Sequence, residues 1–356
     1  MPASLRDRRG RGLALAGLAA LLALLTVVCA GIGAMPIAPA QVVAILAKSV
    51  GLSLPVPFDA AQEAVLLSIR LPRVLLGVLA GGGLAIAGAA MQGLFRNPLA
   101  DPGLLGVSSG AALAAFAAIV LGESLLAHAS PLFKAWLLPA ASFMGALSAL
   151  SLLYGLSRSA GGRVQVSVML LAGIAVNALC GAGIGLFSFL ASDAQLRSFT
   201  FWSLGSLGAA NWHALAITAP LFALSAVFYL RLSRALNLLA LGESEAAHLG
   251  LRVERLKIAV IVLCALTVGT VVSVSGAIGF VGLVVPHLLR MAGGPDHRWL
   301  LPASMLGGGA LLVAADVIAR TVASPAELPI GILTALVGGP FFLWLLARSR
   351  RSGAWT

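Results

Sequence analysis

Apolar runs of about twenty residues, recurring along almost the whole chain, constrain this sequence more than any other feature. A bilayer core about 30 Å thick is crossed by about 20 residues of helix. Such runs lie at roughly 12–34, 71–94, 103–121, 136–157, 165–190, 212–231, 256–273, 277–290, 301–320 and 329–347. A soluble protein carries about 25% charged residues; here only 10% are charged and 60% are hydrophobic. So little polar surface cannot cover so much apolar surface in water. Strands of strict apolar–polar alternation are absent, which argues against an outer-membrane barrel. The fold class expected is an all-α integral membrane protein of about ten transmembrane helices. The fifth run is long, and the eighth is short and bears Gly276, Gly279 and Gly282, marking it as bent or closely packed. The N-terminal "LRDRRGRG" resembles the start of a secretory signal, but the run behind it exceeds the usual length and lacks a good cleavage site. It reads as a retained first span.

With ten spans and a cytoplasmic N-terminus, 17 of the 23 basic residues fall on the cytoplasmic side. That asymmetry is the positive-inside signature, and it places both termini in the cytoplasm. It also accounts for the net charge of +11 without nucleic acid. The six basic residues left outside are Lys48, Arg70, Arg73, Lys134, Arg197 and Arg320. Arg70 and Arg73 bracket Pro72 at the outer mouth of the second span, against the bias. They serve either as anchors to lipid phosphates or as contacts for a partner. In both cases their side chains are expected in water.

Several chemistries are missing. No GxxxxGK[ST] occurs, and the three lysines follow no such glycine pattern, so the chain binds no ATP through a P-loop. The histidines form no HExxH, and Cys29, Cys180 and Cys264 sit singly in apolar runs. "GVSSG" at 106–110 opens an apolar helix after a proline turn, unlike a nucleophile elbow. Asp316 is the one clear intramembrane carboxylate. Arg320, four residues on, is expected to satisfy it, a structural pair in preference to a proton relay. "NPLADPG" reads as a cytoplasmic turn with Asp101 as a cap. A transporter without its own energy source must borrow one from a cytoplasmic partner. The loop 231–257 offers a docking place, because "ALGESEAAHLGL" can form a short helix with Ala246, Ala247 and Leu249 on an apolar side and Gly250 as its stop. A membrane-surface helix is the alternative.

"RLPR" with "AGAAMQGLFRNPLADPGLLGVSSGA", "LLALGESEAAHLGL", "GAIGFVGLVVPHLLRMAGGPDHRWLLPAS" and "ADVIAR…AELPIGILTALVGGPFFLWLL" resemble the permease subunits of type II ATP-binding-cassette importers, the FecCD-type family. The resemblance runs from Arg70 to Leu346. It implies a type II importer permease fold, with 1–356 as one transmembrane domain, and a homodimer with the pathway on its two-fold axis. It further implies two cytoplasmic ATPases that carry ATP and Mg, a periplasmic binding protein, and residence in the bacterial inner membrane. This chain would then be non-catalytic, with no cofactor of its own. By the same resemblance Arg70, Arg73 and Arg320 receive glutamates of the binding protein, Arg320 standing seven residues before Glu327. Leu241, Gly242, Glu243, Ala246, Leu249 and Gly250 couple to the ATPase. The stretch from Leu171 to Trp212 resembles the haem-transporting branch, so haem is the expected cargo, with an iron-siderophore or cobalamin as the alternatives. Met91, Met169, His213, Phe199 and Trp202 could line the path, with simple packing as the competing role for each. An ion-coupled secondary transporter is the rival class, and a membrane scaffold without cargo a third.

Overall fold

The computed structural model describes residues 8–125, 130–157, 166–324 and 326–351, and every regular element among them is helical. The chain runs through α1 (Arg8–Gly31), the short α2 (Pro39–Ser49) and α3 (Ala60–Val65), and then α4 (Leu71–Phe95). Next come α5 (Val107–Leu125), α6 (Pro131–Ser157), α7 (Val166–Leu190), the short α8 (Asp193–Ser203) and α9 (Trp212–Leu239). The six-residue α10 (Glu243–His248) precedes α11 (Val253–Ser275), α12 (Val281–Gly293), α13 (His297–Val322) and α14 (Ile330–Arg351). Seven helical stretches are long and apolar enough to cross a membrane, and α5, α12 and α14 contribute three shorter apolar segments. These ten coincide with the ten expected runs. Of the basic residues in the charge asymmetry, Arg6, Arg158 and Arg163 lie outside the described residues.

The bundle is organised around α4, in which every residue from Ala80 to Leu94 is buried. It packs on α13, α11, α12 and α9. Without a hydrophobic driving force between helices in lipid, close approach through small residues must supply the attraction. A Cβ on Gly88 would stand 1.8 Å from the Gly282 carbonyl oxygen, and one on Gly81 would stand 2.2 Å from that of Gly308. At both places backbone lies directly on backbone. The start of α4 is preceded by one π-helical turn, Leu66–Arg70. Pro72 has no N–H to continue the ladder and crowds the turn before it, which fits a widened turn there.

The eighth span is short for a visible reason. Residues 276–280 are non-helical, and Gly276 turns at φ 68° where a Cβ would strike the Trp202 carbonyl, 2.0 Å away. The "NPLADPG" segment departs in part from its expected place. It turns at the end of α4, where Arg96 and Asn97 are exposed, as expected, but from Ala100 onward it folds back into the bundle. Ala100 and Leu105 are buried, and a Cβ on Gly282 would meet both the Leu84 carbonyl and the Pro102 ring. The Asn177 amide, midway along α7, reaches the Gly103 carbonyl at 3.5 Å and accepts from the Ser109 hydroxyl at 2.6 Å. Irregular backbone at this depth is tolerable only where protein surrounds it. Asp101 accepts from the Gly103 amide at 2.7 Å, a cap as expected. It is nonetheless a second carboxylate inside the bundle, in addition to Asp316 near the C-terminal end of α13.

Candidate functional site

One end of the bundle is built around the C-terminus of α1. A helix end leaves carbonyls without intrahelical donors and carries partial negative charge, and two guanidinium groups meet it here. Arg70 donates to the carbonyls of Ala30 (3.2 Å), Gly31 (2.8 Å) and Met35. Arg320 donates to Ile32 (2.6 Å) and Cys29. Arg70 is only 6% exposed. The expectation that Arg70 and Arg73 stand in water is therefore corrected: Arg70 is an internal clamp on α1, and Arg320 shares that task.

Arg73, one turn further along α4, is held between two carboxylates. Its Nε and Nη2 donate to Asp316 at 2.9–3.1 Å. Its Nη1 and Nη2 donate to Glu327 at 2.9 Å each. The expected local pair of Asp316 with Arg320 is secondary, at 3.5 Å. The bidentate fork of Arg73 fits a carboxylate better than one distant N–H does. The Arg73 hydrogen bonds hold the Glu327 carboxyl below its ordinary range, outweighing partial burial. Arg70, Arg73, Arg320, Asp316 and Glu327 thus form one network, of which Glu327 is the open edge, with its side chain 48% exposed.

The opposite end carries α10. Gly242 precedes it at φ 127°, a backbone conformation that a residue with a Cβ adopts only under strain. Lys257, 3% exposed, pins the helix by pairing with Glu243 (2.8 Å) and with Glu254 (3.2 Å). Gly250, at φ 86°, ends it. Ala246 is fully buried against the chain itself, whereas Leu241 and Leu249 are 62% and 61% exposed. The apolar side expected of Ala246, Ala247 and Leu249 is therefore divided. Ala246 seats the helix, and the leucines crown it. At the same end Asp296 joins Arg11 of α1 (2.6 Å) to Asn237 of α9 (2.7 Å). Burial raises the Asp296 carboxyl, but the bonds from the Arg298 amide, Asn237 and Arg11 bring it below its ordinary range. Nothing local in the sequence signals this clasp, because Arg11 and Asp296 stand 285 residues apart.

The pathway candidates separate. Met91 and Met169 are fully buried and pack in the main core. Phe199 stacks on Phe116 with ring centroids 4.0 Å apart and is buried. Trp202 and His213 both line an open cavity of about 420 Å³, together with Trp136 and Asn211. This brings Trp202 together with His213, and Phe199 stacks behind Trp202 with ring centroids 6.2 Å apart, while Met91 and Met169 lie in the main core.

A bundle of ten apolar helices on a glycine-lined central helix, charged at one end and bearing a two-leucine tip at the other, is a polytopic membrane permease. The FecCD transport family model matches residues 21–348. The hemin transport system permease protein HmuU of Yersinia pestis is 50% identical over 295 residues, covering 82% of this chain and 86% of that one. The cobalamin import permease BtuC of Halobacterium salinarum is 41% identical over 302 residues, covering 84% and 78%. A solved chain described as an inward-facing conformation of a metal-chelate type ABC transporter superposes with a TM-score of 0.80 at 35% identity, covering 95% of this chain and 99% of that one. The chain belongs to the FecCD transport family. It is the permease subunit of a type II ABC importer.

Proposed function

We propose that this chain conducts haem across the bacterial inner membrane. Two copies form the pathway on a two-fold axis, a periplasmic binding protein delivers the cargo at the arginine end, and two cytoplasmic subunits hydrolyse Mg-bound ATP against the α10 tip. The half-identity with a hemin permease carries the substrate assignment. The broad apolar faces of α7 and α14, with Leu171, Phe189, Leu336 and Leu343 all more than half exposed, support contact with lipid and with a second copy. The absence of a P-loop motif and the exposed Leu241 and Leu249 support an external motor. For delivery, Arg73 is the arginine nearest the open edge of its network. Arg70 and Arg320 act on docking by fixing α1 beside it.

In proteoliposomes holding the complete importer, ATP-driven uptake of haem, ferric siderophore and cobalamin measured side by side should favour haem by at least tenfold. Equal or greater uptake of either alternative would overturn the substrate assignment. The basic asymmetry supports a cytoplasmic position for both termini and for α10. Single cysteines at Ser130 and Ser244, in a chain lacking its three buried native cysteines, test this. An impermeant thiol reagent applied to whole spheroplasts should label position 130 and spare position 244. The reverse pattern would invert the topology.

A further inference from the structure

We infer that Glu327 is a resident carboxylate on the docking arginine, exchanged for an acidic side chain of the binding protein when the two proteins meet. The inference rests on the reading of Arg73 as a docking residue. The two carboxylates around Arg73 are held differently. Asp316 lies on α13 with its side chain 3% exposed, and Arg320 stands 3.5 Å away as a second cation. Glu327 lies on the connection to α14, is 48% exposed, and takes both of its hydrogen bonds from Arg73. Asp316 fills the Nε side of the guanidinium, so the Nη1–Nη2 edge is the one available to an incoming carboxylate. Glu327 occupies that edge with the paired geometry that any carboxylate would adopt. The next residue is fixed, because the Leu328 amide donates to the Ala319 carbonyl at 3.0 Å. The Glu327 side chain can therefore swing away while the backbone stays in place.

The arrangement has two physical consequences. A largely desolvated guanidinium left with an empty edge would be costly, and Glu327 fills it in the free permease. An arriving carboxylate then replaces one ion pair by another, so the net gain is small and the complex stays reversible. The partner this edge fits is a protein surface presenting Asp or Glu, and Glu327 sets how strongly it is held. Neutralising Glu327 also raises the local charge from three cations against two anions to three against one, which should speed association with an acidic partner.

The test uses the permease in nanodiscs and the substrate-loaded binding protein of the same importer at low salt. Affinity is measured for the native chain, Glu327→Gln, Arg73→Gln and the double variant, with Glu327→Ala as a second form of the first change. Thermal stability confirms folding of each. Glu327→Gln should tighten binding by about three- to tenfold, chiefly through faster association. Arg73→Gln should weaken it, and the gain from Glu327→Gln should vanish in the Arg73→Gln background. If Arg73→Gln weakens binding but Glu327→Gln leaves it unchanged or weaker, the exchange is wrong and the docking role of Arg73 stands. A gain that persists in the double variant reduces Glu327 to a general electrostatic effect and also overturns the exchange. If neither single change matters, the docking reading fails and the exchange fails with it.

Discussion

Leu241→Asp combined with Leu249→Asp is expected to reduce binding-protein-stimulated ATP hydrolysis by more than thirtyfold while leaving the permease folded. Both side chains are about three-fifths exposed, so the isolated chain loses little. In a closed interface each would be an apolar anchor, and truncating such an anchor costs about 2 kcal/mol or more, roughly thirtyfold. A buried carboxylate without a partner costs further. Ala246→Arg serves as the contrast. Ala246 has no accessible surface, so arginine there should displace α10 and lower the amount of folded protein. It would report on the seat of the helix and say nothing specific about coupling. Hydrolysis measured on reconstituted complexes, with size-exclusion profiles for each variant, separates the two effects. Unimpaired stimulation in the double aspartate variant would show that the tip does not touch the motor.

Arg70→Ala should act on the fold instead of on docking. Hydrogen bonds to a charged group contribute about 1.5–3 kcal/mol each, and Arg70 makes two to the end of α1 and a third to Met35 just beyond it. Their loss should lower the melting temperature in detergent by about 5–10 °C. Arg70→Lys should recover only part of it, because one ammonium cannot span carbonyls that a planar fork reaches together. Arg73→Gln, by comparison, leaves α1 clamped but removes the main partner of the 3%-exposed Asp316, so it should also lower the melting temperature and is told apart from Arg70→Ala by its loss of periplasmic-partner binding. Native-like melting of Arg70→Ala together with loss of partner affinity would reverse these roles and return Arg70 to the docking surface.

The ten spans could be read from the sequence because each is a long, nearly uninterrupted apolar run, and length alone decides such cases. What escaped depended on distant chain meeting distant chain. Arg70 looked exposed because basic residues at a membrane edge usually are, yet its partners are the carbonyls of a helix end about 40 residues earlier. Asp316 and Arg320 looked like a local pair by spacing, but Arg73, 243 residues from Asp316, presents the better fork. The inward face of α10 was unreadable because six residues make under two turns, too few for a periodic pattern to show which side is buried. Polar residues and prolines in "NPLADPG" signalled a surface turn. The signal was right about irregular backbone and wrong about its depth from Ala100 onward, since a surrounding bundle can satisfy such a segment. The haem-type resemblance of residues 171–212 agrees with the likeness to a hemin permease, though no single side chain in that stretch defines a haem site.

A permease without a P-loop should conduct cargo only when a separate ATPase drives it. Vesicles containing the permease alone, under imposed proton or sodium gradients, can be compared with vesicles containing permease, ATPase subunits and ATP, with haem accumulation followed by its absorbance. Accumulation is expected in the complete, ATP-fed system and none in the permease alone under either gradient. Gradient-driven accumulation by the permease alone would contradict this expectation and make the chain an ion-coupled transporter, with Asp101 and Asp316 as the first carboxylates to test.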